Sequence, residues 1–151
     1  MLFRYSEVFR TSLMISDLSL VAASWALAYW IRFYSGWPAP QGIPEIELYA
    51  YALAGLLPVA FFALRARGLC LPQRTGSLIR EVGAVIGAMA VTIVILLAVD
   101  AALRTWLSRA VIGLFAVLAA GSISAFRIAG RGFLGHLRRK GYNLRYLVVV
   151  G

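Results

Sequence analysis

The chain offers few residues with which to do chemistry. Six carboxylates, Glu7, Asp17, Glu45, Glu47, Glu81 and Asp100, are spread over 151 residues and four segments. No two stand at a spacing useful for paired acid–base work, and no group of them would convincingly hold a divalent ion. His136 is the only histidine, with no Cys, Asp or Glu nearby to complete a metal site, so it reads as solvated or close to lipid phosphates. Cys70 is alone, which excludes an intrachain disulfide and leaves it as a small apolar filler. There is no Ser-His-Asp set and no complete phosphate loop. The expectation is a chain with no catalytic residues and no cofactor or metal site of its own.

Two acids stand out by where they fall. Asp17 interrupts a long apolar run, and a carboxylate in such a place usually marks a function or a partner. Seven residues separate it from Arg10, so it lies about 10 Å along a helix from the charged boundary, at 1.5 Å per residue. The reading it favours is an ion pair with Arg10, on nearly the same helical face, or a polar contact with the ends of neighbouring helices. A proton relay or a substrate contact is the sharper alternative. Asp100 sits near the far end of another apolar run and is most simply paired with Arg104 at i, i+4.

The elements that carry these residues are apolar. Hydrophobic residues make up 62% of the chain and charged ones 14%, with a mean hydropathy of +0.83. An ordinary soluble domain has an apolar share nearer half, so this is an integral membrane protein with membrane lipids as its first partners. The formal charge of +9 is carried by arginines and the single lysine Lys140. These flank apolar runs instead of clustering on one soluble face, so topology and anionic lipid account for them and nucleic acid is not a partner.

Four spans of roughly 20 residues fit the length. The first is expected over 11–33, as an uncleaved signal anchor, closed by an aromatic belt of Trp25, Tyr29, Trp30, Phe33, Tyr34 and Trp37. A linker with Pro38, Pro40 and Pro44 cannot continue it. The second span covers 46–64 with Pro58 inside it, where a kink is expected. Then follows an arginine-bearing stretch with breakers, in which Ser77 could cap the next helix. The third span covers 82–103, and its Gly83 and Gly87 would let another helix approach closely. A short turn at Arg104–Arg109 leads to the fourth, 110–126, making two antiparallel hairpins in all. A homodimer is among the assemblies left open.

Counting Lys and Arg gives orientation. Twelve lie on the side of the two termini and the middle stretch, against Arg32, Arg104 and Arg109 on the other. The positive-inside rule makes both termini cytoplasmic. The four-helix domain is taken as 1–128 and is followed over 129–146 by a basic juxtamembrane helix and turn. Arg131, Arg138, Arg139 and Lys140 surround a Phe133, Leu134 and Leu137 face there. That helix rests on the leaflet, or its basic residues meet a polyprenyl or nucleotide phosphate directly. The run Leu147-Val-Val-Val150-Gly151 is how the first strand of a Rossmann-like sheet opens, so 147–151 reads as the start of a further cytoplasmic domain. The fold class is thus an all-α membrane protein of four transmembrane helices, with a truncated first strand of a Rossmann-like domain at its C-terminus.

Several stretches in order carry a family resemblance. They are Tyr29-Trp-Ile-Arg32-Phe33, Arg67-Gly68-Leu69 with Pro72 and Arg74, Ser108-Arg109, Arg127, and Arg138-Arg139-Lys140-Gly141-Tyr142-Asn143-Leu144-Arg145 before Val148-Val-Val-Gly151. Together they resemble the N-terminal membrane region of bacterial polyprenyl glycosylphosphotransferases, the undecaprenyl-phosphate glucose or galactose phosphotransferases that initiate exopolysaccharide synthesis. Cys70 departs from the aromatic common after Gly-Leu in that family.

The resemblance implies a bacterial inner-membrane location, a following Rossmann-like domain, and then a catalytic domain. In that domain an Asp-Glu pair and Mg²⁺ move a sugar 1-phosphate from a UDP-sugar to undecaprenyl phosphate, initiating exopolysaccharide, capsule or O-antigen synthesis. None of those catalytic positions falls in this sequence, whose implied role is to anchor the enzyme at the bilayer. A membrane-bound nucleotide-sugar 4,6-dehydratase and a small four-helix lipid-linked-sugar flippase are the alternatives.

Overall fold

The computed structural model describes residues 2–36, 42–69 and 78–139, with side chains described over 11–36, 42–69 and 78–133. The described residues form four helices: α1 (Leu2–Tyr34), α2 (Ile46–Ala66), α3 (Leu78–Leu103) and α4 (Arg109–Arg139). At 1.5 Å per residue the 21 residues of α2, the shortest, reach about 31 Å, enough to cross a bilayer's hydrocarbon core of roughly 30 Å. All four are long and apolar enough to do so, over Thr11–Tyr34, Ile46–Ala66, Leu78–Leu103 and Arg109–Phe133. Pro58 lies within α2, and α4 continues from its span into the basic stretch as far as Arg139. The Leu147–Val150 run, Ser77 and Cys70 lie outside the described residues.

Local chemistry explains where the helices end. α2 closes in a Schellman turn: Gly68 takes φ +69, its N–H donates to the Arg65 carbonyl at 3.0 Å, and the Leu69 N–H donates to the Leu64 carbonyl at 3.2 Å. Leu64 and Leu69 are both buried, as the apolar contact of such a turn requires. α3 ends because Arg104 and Trp106 adopt left-handed backbone, at φ 52 and 55.

Each helix packs on two neighbours, in the cyclic order α1, α2, α3, α4 and back to α1. Asp17 and Glu81, early in the membrane-crossing parts of α1 and α3, both meet Arg127, late in that of α4, so α4 runs antiparallel to both. The centre is held by Trp25, whose ring meets Phe115 edge-on with centroids 5.3 Å apart, and by Val21, Val85, Met89, Val111 and Ile123. Ala28, Ala60, Ala88 and Ala119 are fully buried, small residues that let helices approach where lipid offers no hydrophobic drive. Ser24 and Ser122 meet across the α1–α4 contact at 3.2 Å.

At most about a third of any span's residues are buried in this bundle. The remaining surface is apolar, with Ile79 at 85%, Tyr51 at 75% and Val117 at 74% exposure. Such a surface is the outside of a membrane protein. Among the described residues nothing lies within 4 Å of a Cβ built at Gly83, and at Gly87 the nearest neighbour is the Arg67 guanidinium.

Ala119→Leu should overpack the bundle and cost about 1–3 kcal/mol. Val117→Leu, on the lipid face, should be near neutral. Unfolding free energies in a bilayer or bicelle check the contrast, and equal effects would contradict the placement of α4.

Candidate functional site: a buried charge cluster

The four elements converge on one guanidinium. Arg127 of α4 is 9% exposed; its Nη1 donates to Glu81 Oε1 of α3 at 3.0 Å, and its Nη2 donates to the Leu69 carbonyl at 3.0 Å and to Asp17 Oδ2 of α1. One helical turn on, Arg131 Nε lies 3.2 Å from Glu81 Oε2. Two carboxylates and two guanidinium groups thus balance in charge, and the Schellman turn after α2 aims the Leu69 carbonyl into the set.

The fit is tight. The space bounded by Leu78, Glu81, Val85, Ser124, Arg127 and Ile128 leaves no volume for a water-sized molecule. Asp17 Oδ1 and Arg127 Nε have no hydrogen-bond partner among the described residues. What the arrangement can do is bind four chain segments together. The set is charge-balanced, and no three potential metal ligands gather among the described residues.

Asp17 thus makes a polar contact with a neighbouring helix, the second form of the expectation. Its described partner is 110 residues away, and the Arg10 side chain lies outside the described residues. Sequence reasoning also passed over Glu81 and Arg127 as partners. The signal was there: the arginine count puts Asp17, Glu81 and Arg127 at the same end of their spans.

Asp100, at the other end, is a correction. It does not pair with Arg104; Oδ1 accepts from Thr105 Oγ1 at 2.6 Å and from the Leu107 N–H at 2.9 Å. The i, i+4 geometry an Arg104 pair needs is gone, because the helix stops at Leu103 and Arg104 turns left-handed. Asp100 instead fastens the α3–α4 turn. Nearby, the Tyr49 hydroxyl accepts from the Ser108 N–H at 3.1 Å, Trp25 Nε1 donates to the Tyr49 carbonyl at 3.0 Å, and the Tyr29 hydroxyl donates to the Pro44 carbonyl at 3.2 Å. This end is also closed by buried polar bonds from aromatic residues. His136, Arg138 and Arg139 have side chains outside the described set, as does Lys140 entirely.

Fold and cluster together define a multi-span membrane bundle locked by buried charge. Along its whole length the chain is 34% identical, over 154 residues, to the UDP-glucose:undecaprenyl-phosphate glucose-1-phosphate transferase of Xanthomonas campestris pv. campestris. It spans 30% of that relative's length. The resemblance carried by the motifs is thus matched by a transferase of the same kind. No family model and no solved structure matches the chain.

Arg127→Gln should cost about 3–5 kcal/mol, because it leaves Asp17 buried without its counter-charge and Glu81 with Arg131 alone. Arg131→Gln, at a pair whose arginine is 30% exposed, should cost less than about 1 kcal/mol. Denaturation of the two variants in one membrane mimetic tests the ranking; equal losses would contradict it.

Proposed function

We propose that the chain is the N-terminal membrane region of a polyprenyl glycosylphosphotransferase. In this reading it holds the enzyme's cytoplasmic domains at the bilayer, where its lipid acceptor resides. The observation that carries the proposal is the full-length similarity to a glucose-1-phosphate transferase, on a chain whose described residues form four membrane-crossing helices. In this reading both termini are cytoplasmic, because most of the arginines flank that side. The cluster around Arg127 then lies at the cytoplasmic end, directly below the place where α4 leaves the membrane.

The contribution is one of position. An enzyme tethered beside a lipid acceptor meets it at a high effective concentration without any new catalytic contact. A rigid α4, fixed in its span by Arg127, would also set where the following domain starts. Sugar 1-phosphate transfer from a UDP-sugar to undecaprenyl phosphate, and the Mg²⁺ and carboxylate pair that serve it, belong in this proposal to a catalytic domain outside the chain. The product would begin an exopolysaccharide, capsule or O-antigen in a bacterial inner membrane.

The experiment is to replace the matching region of the Xanthomonas transferase with this chain and assay membranes for UMP release from UDP-glucose with undecaprenyl phosphate. Retained release at the membrane is the expected result. A fusion that reaches the membrane intact but releases no UMP would overturn the proposal. Single cysteines near Thr11 and in the Arg104–Ser108 turn should label from opposite sides of the membrane, the turn from the periplasm.

A further inference from the structure

Arg67 is placed unusually for an arginine at the end of a span. It caps α2, and its side chain lies across α3 at Gly87, where a built Cβ would come within 2.5 Å of Nη1 and 2.8 Å of Cζ. Only the absence of a side chain at Gly87 makes room for it. Gly87 is six residues beyond Glu81, about 9 Å deeper along α3. Arginines at span ends usually extend toward water. This one reaches along the apolar face of its neighbour.

Its charge has no counter-charge among the described residues. Among the described residues the Arg67 side chain makes no ion pair or hydrogen bond. The two described carboxylates at this end, Asp17 and Glu81, are taken by Arg127 and Arg131. A guanidinium lying against a membrane span is costly unless an acceptor meets it, and the fork of a guanidinium matches the oxygens of a phosphate.

Further along the same pair of helices lies an open groove of about 270 Å³, bounded by Leu48, Gly55 and Val59 of α2 and by Thr92, Ile95 and Leu103 of α3. It begins about 8 Å beyond Gly87 and follows α3 for about 16 Å, by helical rise. Its lining is mostly apolar, with Asp100 and Thr105 at its far end and Thr92 at its near end, and Gly55 leaves it open, since a Cβ there would touch nothing. In a bilayer the molecules that reach such a groove are hydrocarbon chains.

We propose that Arg67, seated on Gly87, binds the phosphate of a membrane lipid whose chain lies in the α2–α3 groove. The site recognises a lipid phosphate group and a long apolar chain together. It rests on the membrane reading alone and not on sugar transfer.

The test uses the full chain in phosphatidylcholine nanodiscs doped in turn with a polyprenyl phosphate, phosphatidylglycerol and the matching unphosphorylated polyprenol. Retained lipid is counted by native mass spectrometry. At least one of the two anionic lipids should be retained about tenfold over the polyprenol, the scale of a charge-assisted hydrogen bond. Arg67→Gln removes the charge, and Gly87→Ala displaces the guanidinium while keeping it; each should abolish that preference. Gly55→Leu, which fills the groove, should lower retention without touching Arg67, and Arg65→Gln should leave it unchanged.

Unaltered preference in both Arg67→Gln and Gly87→Ala, with melting temperatures like the wild type, would overturn the proposal. So would equal retention of polyprenol, or complete release by excess inorganic phosphate, which would show a site for the free ion. No sugar nucleotide is present, so failure of sugar transfer and failure of lipid binding are read separately.

Discussion

One arginine between two carboxylates governs this structure. Arg127 takes Glu81 on one nitrogen and Asp17 with the Leu69 carbonyl on the other, and these three partners come from three different parts of the chain. A lone carboxylate or guanidinium inside a span is expensive, so none of these groups is tolerable unless the others are in place. That mutual need works as a specification. Apolar helices in lipid can slide and rotate at little cost, and the cluster selects one register for all four at one end. Tyr49, Trp25 and Asp100 do the corresponding work at the other end with hydrogen bonds and a fastened turn.

Between the two polar ends the bundle is held by shape. Fully buried alanines bring α1, α2, α3 and α4 close, Trp25 and Phe115 fill the centre, and Ser24 meets Ser122 where α1 and α4 touch. The outer surface is left apolar for lipid. This pattern opens at the α2–α3 seam, where Gly55 leaves a groove and Gly87 admits a guanidinium. The described interior is charge-balanced around Arg127, and the guanidinium of Arg67 lies instead at this seam.

How far the sequence disclosed this depends on the range of each interaction. The four spans were legible because an apolar run of some 20 residues has few other fates, and Asp17 was conspicuous because it broke one. A contact with a neighbouring helix end was legible too, but not which residue makes it, since Arg127 is 110 residues away. Only the tally of arginines, which puts Asp17, Glu81 and Arg127 at one end, hinted at the pairing. The Asp100 expectation failed on a boundary: an i, i+4 pair assumes the helix continues, and it ends one residue before Arg104. The Leu69 carbonyl could not be read at all, because a backbone acceptor has no residue type; the Gly68 turn that aims it is the only trace. Gly83 and Gly87 looked like a helix contact, since composition alone does not separate a notch for a helix from a notch for a side chain.

The central claim is that buried charge at Arg127 fixes α1 against α4. A direct measurement is disulfide formation between Ser24→Cys and Ser122→Cys, whose hydroxyl oxygens are 3.2 Å apart, in a Cys70→Ser background and in native membranes. Near-complete cross-linking with Arg127 present, falling sharply when Arg127→Gln is added, is the result the account predicts. Cross-linking that is absent in the first case, or undiminished in the second, would contradict it.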